Sequence, residues 1–413
     1  MANTPASPSA ASAEAIPLRH LLPVYAAGIF SNGAVQLAAV VVPLWMLMID
    51  PSPLMIGIAL GARQVLPVLL SIHGGALMDR MGIRRVMIWF SILGFATPLL
   101  FPIFPFFAAV LILQMLGGIS AAMGWIGTQA QIGAIMKGSP TYAGRVTFFN
   151  RLGTLAGPPA TGAAWDLGGP WGGFGFLTFW GLALFVACIL MPRARIGEAG
   201  GGTTAAADIT WRDVLPRVGD YVSAFKLMAI PTIAFVVAVT LLRHSSNGIL
   251  TSFYVVWLES IGFKGTAIGI LIAASSILGG VGALSAGRLA RMFSSYRVLV
   301  VSVCCAIFLV AITPLLATFV LLLVASALRG GFMGVSQPLL ISLLAQSAGD
   351  AQGKAVGLRT TVNRLSILAT PVVMGAIAEV LGIAASFYVM GGFLIALMVL
   401  VAYRSRGAFA GAL

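Results

Sequence analysis

From Leu21 onward the chain alternates long apolar runs with short turns rich in Gly, Pro and charge, and each run is long enough to cross about 30 Å of hydrocarbon. Twelve runs are legible, at 21–48, 54–77, 85–104, 106–135, 145–165, 173–191, 228–258, 266–287, 297–313, 318–345, 355–378 and 386–403. Lipid offers a peptide group no hydrogen-bond partner, so each run must satisfy its own backbone and is predicted to be a helix. The longest polar interval, Pro192 to Phe225, divides six runs from six. It holds a Gly and Ala stretch followed by WRDVLPRV, which has the pattern of a short amphipathic surface helix. Ahead of the first run, residues 1–17 are mostly Ala, Ser and Pro with one charge, Glu14. They lack the cationic start and cleavage pattern of a secretory signal, and are expected to form a disordered cytoplasmic tail. The predicted layout is a tail over 1–20, a six-helix half over 21–191, a cytoplasmic linker over 192–227, a second half over 228–403 and a tail over 404–413.

The two halves repeat each other. A shift of 212 residues brings Ile56, Gly57, Gly75, Leu77, Arg85 and Val86 onto Ile268, Gly269, Gly287, Leu289, Arg297 and Val298 without a gap. A shift of 213 lays NRLGTLAGP, Asn150 to Pro158, on NRLSILATP, Asn363 to Pro371, and carries Asp166 onto Glu379. Ser31-Asn32-Gly33 recurs as Ser246-Asn247-Gly248. The expected fold is therefore an all-α integral membrane protein. Its twelve transmembrane helices form two six-helix halves related by a pseudo-twofold along the membrane normal, the repeat build of a secondary transporter.

Composition narrows the function classes. Of 413 residues, 59% are hydrophobic and 8% charged, which excludes a water-soluble domain of this size. The formal charge of +13 is spread through turns between apolar runs rather than gathered on one face, so a nucleic-acid partner is not expected. With both termini inside, only Lys264 of the 24 cations falls outside, five fall within runs, and the other eighteen lie inside. That asymmetry places the protein as a multi-pass component of the cell's inner, cytoplasmic membrane with cytoplasmic termini. Cys188, Cys304 and Cys305 sit in apolar stretches without metal-type spacing, and the chain has neither HExxH nor GxxxxGK. No enzymatic chemistry, cofactor or metal is expected.

The turn after the second run reads GGALMDRMGIRR, Gly74 to Arg85. It resembles the G-x-L-x-D-R-x-G-R-[KR] signature of the major facilitator superfamily, with Ile83 the one departure. The second copy, GRLARMFSSYR from Gly287, keeps the glycine and leucine but has Arg291 where the first has Asp79. In the fifth run Gly144, Gly153, Gly157, Pro158 and Gly162 are similar to the glycine and proline motif of the twelve-span drug and proton antiporter branch, Thr161 replacing one glycine. The resemblance implies alternating access by rocking halves, and the fifth-run motif goes with export. It also implies a gate: Gly75, Asp79, Arg80, Arg84 and Arg85 would sit beside the cytoplasmic start of the eleventh helix, and Gly153, Gly157 and Pro158 would let the fifth helix pack closely and bend. The fourth run departs from that branch, carrying Gln114 where exporters place a proton-handling arginine.

The intramembrane charge is one-sided. All eleven acids fall in turns, tails or helix ends, whereas Arg63, Arg151, Arg243, Arg329 and Arg364 lie within runs. An arginine at that depth costs about 2.5–3.5 kcal/mol unless it faces water or a partner. A positive cavity taking an anionic solute is expected from Arg63, Arg329 and Arg364. Arg151 is a further candidate, or with Arg364 pins the halves, and Arg243 extends toward the inner surface. Asn32, Gln36, Asn247 and Gln114 are candidate lining residues or inter-helix bonds, Gln129 and Gln131 are solvated near the inner end, and Trp45 and Trp257 are interfacial belt residues. Candidates for proton coupling are His244, Asp166 and Glu379. The expected function is secondary transport of a small organic solute, anionic or amphipathic, by a monomer in contact with membrane lipid, with export favoured and protons or a counter-anion as coupling partner. Rivals are an organic-anion uptake carrier, a broad drug exporter, for which the missing buried acid is a counter-indication, and a non-transporting membrane sensor.

Overall fold

Peptide groups that must be satisfied within lipid select helix for apolar runs of about twenty residues, and the computed structural model contains no strand among the residues it describes, 16–50, 52–134, 140–192, 225–348 and 352–409. The helices are α1 (Leu18–Ile49), α2 (Pro53–Ala62), α3 (Val65–Met81), α4 (Ile83–Ile103), α5 (Phe107–Ala134), α6 (Pro140–Leu190), α7 (Pro231–Leu250), α8 (Phe253–Ser260), α9 (Gly265–Met292), α10 (Ser295–Ala311), α11 (Phe319–Ala348), α12 (Gln352–Leu381) and α13 (Ile383–Ser405). The linker segment 193–224 with its WRDVLPRV, and the tails 1–15 and 410–413, lie outside the described residues.

Three elements differ from the sequence expectation, each for a local reason. The second run is two helices, broken at Arg63–Gln64. Pro67, in the first turn of α3, has no N–H to give the carbonyl four residues back. The seventh run breaks at Thr251–Ser252, where Ser252 Oγ donates to Gly248 O at 2.6 Å and Thr251 Oγ1 to Asn247 O at 3.2 Å, competing with the backbone ladder. The fifth and sixth runs are joined without a loop: α6 turns at Gly169 (φ 56°, ψ −144°), a conformation open to glycine, and Pro170 starts the second limb. With α2–α3 and α7–α8 counted as one pass each and α6 as two, the order of elements agrees with the twelve passes expected. The first helix starts at Leu18, three residues before the expected 21.

Each half closes on its own helix crossings. A Cβ at Gly118 on α5 would overlap the Arg63 carbonyl oxygen, and a Cβ at Gly330 on α11 would overlap that of Ser275 on α9. The shift of 212 maps one crossing onto the other, so the repeat is built into backbone contacts and not only into sequence. Trp45 and Trp257 are interior, at 6% and 5% exposure. Trp45 stands edge-on to Phe174 with ring centroids 5.8 Å apart, and Trp257 packs on Phe387, so the belt reading is corrected: aromatic packing claims both rings.

Overfilling such a crossing costs about 1–3 kcal/mol. Gly118→Ala and Gly330→Ala are each expected to lower the unfolding temperature of the purified protein in detergent by a similar amount. Gly168→Ala, with no atom within 4 Å of its added methyl, is expected to leave it unchanged.

Candidate functional site

The two halves meet along two seams, α6 against α9 and α12 against α2, and both are built from one pattern. Arg151, Leu155, Pro158, Gly162 and Asp166 fall on one face of α6 at helical spacing, and Arg364, Leu368, Pro371, Gly375 and Glu379 repeat that face on α12. We call the membrane end that carries Ser52, Asp166, Gly265 and Glu379 distal, because the described termini lie at the other.

At the distal tip of each seam a carboxylate sits on the first turn of a helix from the opposite half. Asp166 accepts from the backbone N–H groups of Gly265 and Thr266, both at 2.8 Å, and from Thr266 Oγ1 at 2.6 Å, where α9 begins. Glu379 Oε2 accepts from Ser52 Oγ at 3.0 Å and Leu54 N at 3.2 Å, where α2 begins. A helix N-terminus presents unpaired donors and a partial positive charge, so both contacts are favourable caps made in trans. One turn further in, backbone rides on backbone: the Pro371 carbonyl fills the space over Gly57 and the Pro158 carbonyl that over Gly269. Gly162 abuts the Gly265 carbonyl and Gly375 that of Pro53.

The seams end at the two arginines. Arg151 Nη1 reaches across to donate to Ser276 O on α9 at 3.4 Å. The mirror position for Arg364 is Gln64, where the second pass is broken, and Arg364 makes no hydrogen bond or ion pair among the described residues. On the termini side of them the same stripes come out of contact: Phe148 is 61% exposed, and Gly357 and Thr360 are exposed. The halves are thus closed distally and open toward the termini end, with a half-buried, unpaired guanidinium at the apex of the opening.

The other expected site residues divide. Arg63 and Arg329 do not share that opening, which corrects the single-cavity expectation. Arg63 and the buried Gln114 line a cavity of about 50 Å³ enclosed by α1, α2, α4, α5 and α6, where Gln114 Nε2 donates to Ala59 O at 3.4 Å. Arg329 lines a smaller cavity inside the second half with Tyr254, Thr313 and Ser326. Arg243 does not extend to the surface: its Nε donates to Ser336 Oγ at 2.8 Å and its Nη2 to Met333 O at 3.1 Å, and its Nη1 lies 3.3 Å from His244 Nε2. Asn32 and Gln36 are half-buried without a partner, on the face of α1 opposite Ser31, Ala34 and Leu37, which line the first cavity. Asn247 is likewise half-buried without a side-chain partner. Gln131 is buried with its Nε2 3.7 Å from Met191 Sδ, not solvated, and Gln129 is exposed.

Of the expected gate, Arg84 ties its own half together, donating to Cys188 O at 3.3 Å and Ile189 O at 2.6 Å near the end of α6, and Arg85 is exposed. Gly75, Asp79 and Arg80 lie on α3, and their side chains fall outside those described. Gly153 and Gly157 are packing positions against Ile29 and Leu37 of α1 rather than inter-half contacts; Pro158 and Gly162 are the seam residues. Sequence reasoning named Gly162 within the fifth-run motif but missed Ser52, Gly265, Thr266 and Gly375 as seam residues. The signal was present, because extending the 213 shift past Pro158 aligns Gly162 with Gly375 before reaching the acids.

Asp166→Asn and Glu379→Gln keep shape and remove the charge from each cap. Each is expected to raise the share of molecules open at the distal end about fivefold, and the pair more than either alone. Distance distributions between spin labels on the distal turns of the two halves read this directly; an unchanged distribution in the double variant would mean the caps do not hold the gate.

The chain matches the Major Facilitator Superfamily over residues 24–317 and 236–408. No curated protein sequence matches it. Among solved structures it superposes on a variant of the nucleoside transporter NupG with a TM-score of 0.76 at 13% identity, over 94% of this chain and 99% of that one. It superposes on a bacterial homolog of the human lysosomal transporter Spinster, in an inward-facing and unoccupied conformation, with a TM-score of 0.73 at 14% identity, over 95% and 98% of the two chains. A human organic anion transporter, TETRAN, gives 0.57 at 16% identity, over 93% and 99%. At these identities the likeness is one of fold. The sequence match runs through both halves, and the chain belongs to the Major Facilitator Superfamily, a multi-pass membrane transporter of small solutes.

Proposed function

We propose that this transporter exports a small organic solute bearing an anionic group, with Arg364 as its principal contact and Arg151 beside it across the opening. The observation that carries the reading is Arg364 itself, a half-buried cation on the inter-half face with no partner among the described residues. A guanidinium fork matches carboxylate, phosphate and sulfonate geometry, and an apolar surround of low dielectric strengthens the contact. Asn32, Gln36 and Asn247 supply neutral donors and acceptors around it. Export is favoured by the fifth-run motif Gly153, Gly157, Pro158, Gly162 on α6, and the termini end is cytoplasmic by the distribution of Lys and Arg. The described state is then inward-open, ready to load solute from the cytoplasm.

Protons enter the cycle at Asp166 and Glu379. Neutralising either carboxylate removes charge from a helix N-terminus and loosens the distal gate, which couples an external proton to outward opening. His244 is engaged with Arg243 inside the second half and is no part of this relay. On closure at the cytoplasmic end, the end of α3 that carries Asp79 and Arg80 docks beside the start of α12, a helix that α3 already contacts elsewhere along its length.

In purified protein, organic anions are expected to raise the unfolding temperature while lipophilic cations and neutral sugars do not. Arg364→Ala is expected to weaken anion binding about tenfold to a hundredfold, the range for losing a charge-assisted contact, and Arg364→Lys to recover part of it. Inverted membrane vesicles should take up the stabilising anion in proportion to protein content. Stabilisation by cations alone, untouched in Arg364→Ala, would overturn the anion reading; uptake only by right-side-out vesicles would overturn export.

A further inference from the structure

Trp125 on α5 carries a ring that nothing in the described chain claims. It is 37% exposed, no other ring stacks on it among the described residues, and its indole Nε1 has no hydrogen-bond partner there. Trp45, Trp165, Trp180 and Trp257, by contrast, each pack against a phenylalanine. The neighbours of α5 show where the indole looks. Ser120 donates to Phe90 O on α4 at 2.6 Å, and Gly127 lies against Met87 of the same helix. Thr128 Oγ1 lies 3.3 Å from Ser31 Oγ on α1, and Met123 lies against Gly74 of α3. At about 100° of rotation per residue, Trp125 and the exposed Gln129 one turn on fall on the face that remains, opposite α4 and between α1 and α3. Both flanking helices reach the second half, α1 at α8 and α9, and α3 at α12. The helix behind, α4, packs on α3, α5 and α6 of its own half and turns Trp89 outward. The indole of Trp125 therefore faces the opening between the halves and not lipid.

Depth brings this ring level with the solute site. Trp125 lies nine residues before Ala134, where α5 ends, about 14 Å along the helix, and Arg364 lies twelve residues into α12, about 18 Å. The indole is thus about one helical turn nearer the termini end than the guanidinium. Phe148, eight residues into α6 and 61% exposed, adds apolar surface at the level of the indole. An indole standing in a wet opening keeps apolar surface in water, and a ring laid on it removes that contact. Its π face is electron-rich and attracts either a cation or a second ring stacked with an offset. A cation is disfavoured, because Arg151 and Arg364 share the opening while the described side chains of Asp50, Asp166, Glu259 and Glu379 all lie at the distal end. We infer that the solute carries a planar aromatic ring about one helical turn from its anionic group, and that the ring stacks on Trp125 while the anion reaches Arg364. The inference rests on the anionic-solute reading proposed above and names the body of that solute. An aliphatic body of equal size gains the burial without the stacking, a difference of about twofold to tenfold in affinity.

The test compares phenylacetate with cyclohexylacetate, which share charge and carbon skeleton while the saturated acid is the more apolar, so hydrophobicity alone predicts the opposite order. Half-saturation is read from the rise in unfolding temperature of the full chain in detergent, for the unaltered protein and for Trp125→Leu, Trp125→Phe and Arg364→Ala. We expect phenylacetate to bind about fivefold more tightly, Trp125→Leu to erase that preference, and Trp125→Phe to keep part of it. Cyclohexylacetate should bind to Trp125→Leu within about twofold of the unaltered protein, which also shows that the variant is folded. Both acids should weaken about tenfold or more in Arg364→Ala. Equal half-saturation of the two acids in the unaltered protein, or a preference for the flat acid that survives in Trp125→Leu, would overturn the ring platform and leave the anionic-solute reading standing. Binding of both acids untouched by Arg364→Ala, or no response to either, would overturn the anionic reading and the platform with it.

Discussion

Two carboxylates seated on helix starts of the opposite half are what the described state depends on. Asp166 on α9 and Glu379 on α2 lie at symmetry-related points, and each answers donors that would otherwise face water or headgroups unpaired. Behind them the seams close by carbonyls lying over glycines, which requires the helices to approach to backbone distance. The caps fix the tips and the glycines permit the approach, so the inner halves of the same helices diverge. The opening toward the termini end is the geometric consequence of closure at the distal one.

Much of this was legible before any coordinates. The apolar runs located the passes to within a few residues, because lipid imposes one solution on the backbone, and the 212 and 213 shifts located the pseudo-twofold. The breaks at Arg63–Gln64 and Thr251–Ser252 were hidden, since the residues on both sides are apolar and the cause is a single proline ring or hydroxyl. Helix rotation was hidden as well. A pass that is apolar all round has no polar face to orient it, so Arg329 and Arg364 look alike in sequence although one is enclosed within a half and the other faces the partner half. Trp45 and Trp257 misled for a related reason: proximity to a helix end says nothing of which way a ring turns.

The repeat also shows where the halves have diverged. Under the 212 shift Arg63 corresponds to Ser275, and Gly117 to Arg329. Each half thus keeps one enclosed guanidinium beside the same helix crossing, contributed by opposite members of the helix pair. Duplicated backbone contacts coexist with exchanged side-chain chemistry, and the two internal cavities differ in size accordingly.

The glycine-on-carbonyl construction of the seams has a thermal corollary. At the glycine crossings themselves, parting two backbones releases almost no side-chain rotamers and exposes little aliphatic surface, so these crossings add little conformational entropy or hydration heat capacity when the distal gate opens. The temperature dependence of the balance between the two facing states should therefore be set less by the glycine crossings than by the apolar contacts that α1 makes with α8.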